Sequence, residues 1–228
     1  MPNATLLAIS HGTASPHGQA AVAALVAAVA ARLPDVPVRL GHVDVQQPDV
    51  TASLTAIGRD QPVVIVPLLL SAGYHVHVDL VEQSAPWADA TIAGALGPDP
   101  RLAALLAARL ADLHGGPDDA VVLAVAGSSD ERANEDCRAT GRMLADLLGR
   151  DVEVGFLAAA DPRLGDAVEA ARSRAERVLV ANYLLAPGYF HDLAVQVSAG
   201  AAVARPLLDD APAVELVDIV VDRYRAAC

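Results

Sequence analysis

Three side chains of this sequence could together hold a divalent metal ion: His11, Asp44 and His75. Two imidazoles and a carboxylate suit a borderline ion such as Fe2+, Co2+ or Ni2+ and leave coordination positions open for exchange; zinc would fit the same set. Gly12 follows His11 and lets a ligand or a neighbouring backbone come close. His75 lies in Ala72-Gly73-Tyr74-His75-Val76-His77, where Gly73 permits a tight turn. In an extended segment residues two apart share a face, which makes His77 an expected outer or substrate-side group. His42 would share the face of Asp44 and is a weaker candidate, while His17 and His114 fall on a helix start and a linker. Taken singly, each histidine is equally at home as a surface side chain at a strand end.

The elements that must position these residues follow from the apolar pattern. Short apolar runs alternate with longer alanine-rich amphipathic segments, the pattern of βα units around a parallel sheet. Strands are predicted at Thr5–Ser10, Val36–Val43, Pro62–Leu68, Ala120–Ala126, Asp151–Leu157 and Arg177–Leu184. Helices are predicted at Pro16–Leu33, Asp49–Arg59, from Asp79 onward, Asp99–Leu113, Ala133–Leu148, Arg163–Arg174, Asp192–Ala202 and Ala213–Arg225. His11, Asp44 and His75 each fall just past a strand's C-terminal end. Parallel strands place those ends on one rim, where open α/β sheets bind ligands.

The chain repeats itself. Gly12 aligns with Gly127, the stretch Gly41–Pro48 with Gly155–Pro162, and Gly73-Tyr74 with Gly188-Tyr189, at an offset of about 115 residues throughout. Two similar domains are expected, residues 1–114 and 119–228, joined through His114-Gly115-Gly116-Pro117-Asp118. Each would be a flavodoxin- or Rossmann-like α/β unit, a small parallel sheet flanked by helices. Across the repeat His11 becomes Ala126, Asp44 becomes Ala158 and His75 becomes Phe190. That asymmetry is expected if the first half carries the chemistry and the second closes over it.

Composition removes several classes. A net charge of −12, with every basic residue an arginine, argues against a nucleic-acid partner. No apolar run reaches the roughly 20 residues of a membrane span, and the N-terminal residues lack a signal-peptide pattern, so a cytoplasmic protein is expected. Cys137 and Cys228 form no CxxC pair, which suggests neither an iron–sulfur cluster nor a disulfide framework. No Walker A or GxGxxG fingerprint calls for a nucleotide. A monomer and a homodimer are equally compatible.

Leu6–Thr13 (LLAISHGT), Gly41–Pro48 (GHVDVQQP) and Pro67–Leu80 (PLLLSAGYHVHVDL) resemble the three signature stretches of the class II tetrapyrrole chelatases, the sirohydrochlorin cobalt- and ferrochelatases most of all. Ala126–Asp136 and Leu184–Leu193 resemble that family's C-terminal repeat. The resemblance implies a tetrapyrrole held between two chelatase-like domains, with metal ligands at His11, His75 and Asp44. Family members commonly carry glutamate where this chain has Asp44, one methylene shorter. The histidine-rich, cysteine-bearing tail of some relatives is absent. The implied reaction inserts Fe2+ or Co2+ into sirohydrochlorin for siroheme or cobalamin biosynthesis, with the metal as substrate. His11 and His75 would be the catalytic pair and His11 the acceptor of a pyrrole proton, since imidazole titrates near neutrality.

The substrate's carboxylates need cations and N–H donors, which the net charge does not supply globally. Ser128 and Ser129 at a strand-to-helix turn, with Arg132 and Arg138 following, are candidates. Gly12, Gly73, Tyr74, His77 and His191 complete the expected substrate contacts. A non-catalytic metal or tetrapyrrole carrier would use the same residues. An anion-binding α/β enzyme cradling phosphate at His11-Gly12-Thr13 leaves the loss of three polar residues in the second repeat unexplained.

Overall fold

The computed structural model describes residues 4–71, 80–209 and 211–228. Fifteen named elements run in the order β1 (Thr5–Ser10), α1 (Pro16–Arg32), β2 (Val38–His42), α2 (Val50–Ile57), β3 (Val63–Pro67), β4 (Ala90–Ile92), α3 (Pro100–Ala111), β5 (Ala120–Val125), α4 (Glu131–Leu148), β6 (Val152–Phe156), α5 (Leu164–Arg172), β7 (Val178–Tyr183), α6 (Tyr189–Val197), β8 (Ala202–Val203) and α7 (Val214–Ala227). They build two parallel four-stranded sheets of identical topology, β2-β1-β3-β4 and β6-β5-β7-β8. The duplication expected from sequence is therefore present in the chain path.

Strands β1 and β5 are apolar along Leu6–Ile9 and Ala120–Val125 because both their faces are covered. Along β1, Leu6 and Ala8 join a core cluster that spans the two halves. Leu7 and Ile9 point the other way, into a smaller cluster with Leu54 of α2 and Trp87. Strand β5 divides likewise, with Val121, Leu123 and Val125 inward and Val122 and Ala124 outward. The two-residue side-chain period of a strand accounts for this division.

Helix starts follow their caps. Ser15, Asp49, Asp99 and Asp130 each accept a backbone N–H from the first turn of α1, α2, α3 and α4. Asp130 takes the cap of α4, so that helix starts at Glu131, two residues before the expected Ala133. Helix α6 also departs from expectation. It opens at Tyr189, directly after Gly188, and closes at Val197, so residues 198–202, expected to be helical, are not. Strands β4 and β8, of three and two residues, were not anticipated.

The halves exchange their last helices. Helix α3 lies against β7 and α4 of the second half, and α7 lies against β3 and α1 of the first. Leu102, Leu106 and Leu110 of α3 and Leu216, Ile219 and Val220 of α7 all enter the shared core. Hydrogen bonds fix the crossing. Tyr224 donates to the Ala4 carbonyl at 2.6 Å, and Arg223 donates to the carbonyls of Ala95 and Leu96. The linker is held from the second half, where Arg150 reaches the carbonyls of Gly116 and Asp119 and Arg177 those of Leu113 and His114. Among the described residues no helix is long and apolar enough to cross a membrane.

Candidate functional site

In each sheet the strand order reverses beside the first strand, so the end of β1 is a topological switch point. His11 leaves β1 at that point, and Asp44 follows β2 beside it. Their backbones are joined: the Asp44 N–H donates to the His11 carbonyl at 2.9 Å. Gly12 makes the approach possible. Its φ is +96°, and a Cβ there would sit 1.9 Å from the Asp44 carbonyl oxygen, so only glycine fits. Both side chains are exposed at the rim. One Asp44 carboxylate oxygen accepts the Val45 N–H at 2.7 Å, across a turn in which Val45 has φ +66°, leaving the other oxygen unclaimed by that turn.

Beneath this pair Ser10 Oγ and His42 Nδ1 share a buried hydrogen bond of 2.8 Å. Burial holds His42 below the ordinary imidazole value, so it is a neutral partner of Ser10. The sequence left His42 as a secondary ligand candidate; the structure instead gives it 4% exposure and an internal partner. Beyond the pair, Gln46 Oε1 accepts the Thr13 N–H at 2.9 Å and so ties the two loops a second time. His17 is exposed and lies 3.7 Å from Asp209.

The second half repeats the backbone of this site and omits its chemistry. The Ala158 N–H donates to the Ala126 carbonyl at 2.9 Å, and a Cβ on Gly127 would lie 2.0 Å from the Ala158 oxygen. Ala159 has φ +58°, and Asp161-Pro162 is cis as Gln47-Pro48 is. Against this matched frame, Ser10, His11, His42, Asp44 and Gln46 become Val125, Ala126, Phe156, Ala158 and Ala160.

The loops of the two halves meet. A Cβ on Gly188 would lie 2.9 Å from Thr13 Oγ1, and one on Gly18 would lie 2.2 Å from the Pro187 carbonyl. The start of α6 therefore abuts the loop that follows His11. Tyr189 and Phe190 are exposed there with their rings edge-to-face, centroids 5.6 Å apart. His191 is half-buried, and its Nδ1 lies 2.7 Å from Asn182 Nδ2 on β7, a residue with no exposure.

On the opposite loop, the Ser128 N–H is taken by Asn134 Oδ1 at 2.9 Å, and Ser129 is exposed. Arg132 holds Asp130 through Nε and Nη2, and Arg138 pairs with Glu131 while lying over the Phe156 ring. Hydrogen bonding to Glu131 raises the Arg138 value further. Both arginines expected to meet substrate thus carry acidic partners from their own helix start.

Gly73, Tyr74, His75 and His77 lie outside the described residues. The foot of their segment is in view: Tyr183, buried at the end of β7, donates to the Leu70 carbonyl at 2.9 Å, and Ser71 hydrogen-bonds Cys137 of α4. Among the described residues no three His, Cys, Asp or Glu side chains are grouped to hold a metal ion. Sequence reasoning missed Ser10, Gln46, Tyr189, Phe190 and Asn182. The repeat comparison held the signal for the first two, and the rarity of aromatics, two Phe and four Tyr in 228 residues, held it for the exposed ring pair.

The family model described as CbiX matches residues 5–113 and again residues 120–224. Among solved structures, SirB from Bacillus subtilis with Fe3+ is similar at a TM-score of 0.79 and 18% identity, covering 99% of this chain and 95% of that one. The sirohydrochlorin chelatase SirB from Bacillus subtilis subspecies spizizenii, in complex with cobalt, is similar at a TM-score of 0.77 and 15% identity, with the same coverage. CbiX, the terminal enzyme for biosynthesis of siroheme in denitrifying bacteria, is similar at 0.68 and 24% identity, covering 98% of this chain and 99% of that one. Among curated proteins none matches.

Proposed function

The chain belongs to the CbiX family, and on that premise we propose that it inserts a divalent metal ion, Fe2+ or Co2+, into sirohydrochlorin for siroheme or cobalamin biosynthesis. One observation carries the reading. Two loop pairs with the same backbone hydrogen bonds and the same forced glycine differ in that one presents His11 and Asp44 and the other two alanines.

Residues 1–114 carry the metal site, with His11, Asp44 and His75 as ligands, and residues 119–228 close the cleft. The ion enters as a substrate, so an incomplete and exchangeable ligand set is what the reaction requires. Insertion replaces two pyrrole protons by the metal, and both protons must leave. His11, exposed at the rim, releases the ion to the macrocycle nitrogens and takes one pyrrole proton, while the second passes to solvent water. Tyr189 and Phe190 offer the macrocycle an apolar face from the other half. Gly12, Gly73, Tyr74, His77 and His191 are assigned to substrate contact in this reading. Ser128, Ser129 and the start of α4 offer donors to the substrate's carboxylates. Arg132 and Arg138 join them by exchanging Asp130 and Glu131 for substrate. The protein acts in the cytoplasm, as a monomer or homodimer, without a nucleotide or an iron–sulfur cluster.

The test is anaerobic mixing of protein, sirohydrochlorin and Co2+ or Fe2+, followed by absorbance. Insertion faster than the protein-free control is expected, and its loss in His75→Ala. A rate equal to the control would leave a carrier in place of an enzyme.

A further inference from the structure

Gln46 is not needed to fold the loop it sits in. The second half builds the same pair of loops, with the same Ala158-to-Ala126 backbone bond, while carrying Ala160 at the corresponding position. What differs is how one N–H is satisfied. In the second half the Ser128 N–H is taken by Asn134 of α4, whose Nδ2 also donates to the Ser128 carbonyl. In the first half Gln19 of α1 keeps only the second of these bonds, donating to the Thr13 carbonyl at 2.8 Å. The Thr13 N–H turns instead to Gln46 Oε1, across 33 residues of sequence.

That exchange moves a tether from helix-to-loop to loop-to-loop. Gln46 grips on both sides: its own N–H donates to the Asp44 carbonyl at 2.7 Å, and its side chain holds the residue after Gly12. The buried Ser10–His42 bond performs the same join one residue before His11 and two before Asp44. His11 and Asp44 are therefore bracketed by two side-chain crosslinks between the loops that carry them. Val125, Phe156 and Ala160 remove both crosslinks from the half that presents no ligands.

We propose that Gln46, seconded by the Ser10–His42 pair, is a positioning residue that fixes the separation of the His11 and Asp44 side chains for a divalent cation. The proposal rests on the metal-site reading above. Aspartate is a short ligand and cannot recover by side-chain extension if its loop drifts, so the loop must be held. Partners that orient ligands in this way typically change metal affinity by about 10- to 100-fold when removed.

The test is Co2+ titration of the full chain without tetrapyrrole, read by the visible absorption of the bound ion, beside a thermal melt. Gln46→Met keeps length and bulk but loses the acceptor; it should bind Co2+ about 10-fold more weakly with a displaced absorption band and an unchanged melt. Gln46→Glu keeps the acceptor and should return the band to its wild-type position. Gln46→Ala copies Ala160 of the second half, keeps the measurement available should the Met variant unfold, and should behave as Gln46→Met does. Wild-type affinity and band in Gln46→Met or Gln46→Ala overturn the proposal. Failure of the metal-site reading is distinct: wild type and His75→Ala would then titrate alike.

Discussion

At the scale of single residues, the duplicated loops supply an internal control that most sites lack. Gly12 and Gly127 stand in the same positive-φ conformation, each packed against a carbonyl that a Cβ would strike. Alanine at either position should therefore cost stability to a similar degree, about 2 kcal/mol or more, because a non-glycine residue at positive φ is strained even before the clash. Only Gly12→Ala should also weaken Co2+ binding, since only that loop carries His11 beside Asp44. Thermal melts and Co2+ titrations of the two variants check this together. Equal Co2+ affinity in both variants would separate the glycine from the site. His11 and Asp44 were legible in the sequence because each follows an apolar run and each is lost in the repeat. Ser10 and Gln46 are lost in the repeat as well, but their partners lie 32 and 33 residues away and nothing local marks a hydroxyl or an amide as a crosslink, so that loss alone gave them no role.

Strands and helices were legible wherever burial on both faces or a cap residue imposed a pattern. Strands β1, β3 and β5 stand out as apolar runs at Leu6–Ile9, Val63–Pro67 and Ala120–Val125, and β2, β6 and β7 as apolar stretches interrupted by Arg39, Glu153 and Asn182. Strands β4 and β8 do not, because each pairs with one neighbour only and is too short to alternate. The exchange of α3 and α7 was also invisible, since an amphipathic helix records that one face is buried and not which sheet buries it. Asp99 is where that exchange becomes electrostatic. It caps α3, its carboxylate is bound by Arg101, and Arg101 and Arg223 connect it to Asp222 and to α7. Burial alone would raise the Asp99 carboxyl, but hydrogen bonds and charge from Arg101, with Arg223, overcome it and hold the group below its ordinary value. A carboxylate depressed in the folded chain contributes stability above its unfolded value and loses it as pH falls through the folded one. Melting temperature should accordingly drop as pH is lowered below about 4, and Asp99→Asn should weaken that dependence while costing about 2 kcal/mol at neutral pH. Parallel melts of the two proteins from neutral to acid pH measure both. An unchanged acid slope in Asp99→Asn would assign the effect to other carboxylates.

For the whole molecule, the exchanged helices mean that the sequence boundary and the packing boundary differ. A cut in the linker at Gly116-Pro117 separates the two repeats as the sequence divides them, yet it sends α3 away with the wrong sheet. The N-terminal fragment would keep Leu102, Leu106 and Leu110 with nothing to cover them, and its β3 would lose the packing of Ile219 and Val220. The C-terminal fragment would be left with the corresponding defect, one face of its β7 bare and α7 unpartnered. Burying a leucine or isoleucine side chain is worth roughly 2 kcal/mol, so several such losses at once exceed what a domain of this size holds in reserve. Neither fragment should fold as a monomer, whereas the two mixed or co-expressed should form a one-to-one complex that restores the cross-half bonds of Tyr183 to Leu70 and Tyr224 to Ala4. Size-exclusion chromatography with circular dichroism distinguishes the outcomes. Two stably folded monomers would show that each sheet can recruit its own terminal helix, and the exchange would then be a convenience of the fused chain. Reconstitution only on mixing would make the exchange of α3 and α7 the packing that holds the two halves together. The loop that carries His11 and the Tyr189–Phe190 pair beside it would then keep their spacing because neither half can fold without the other.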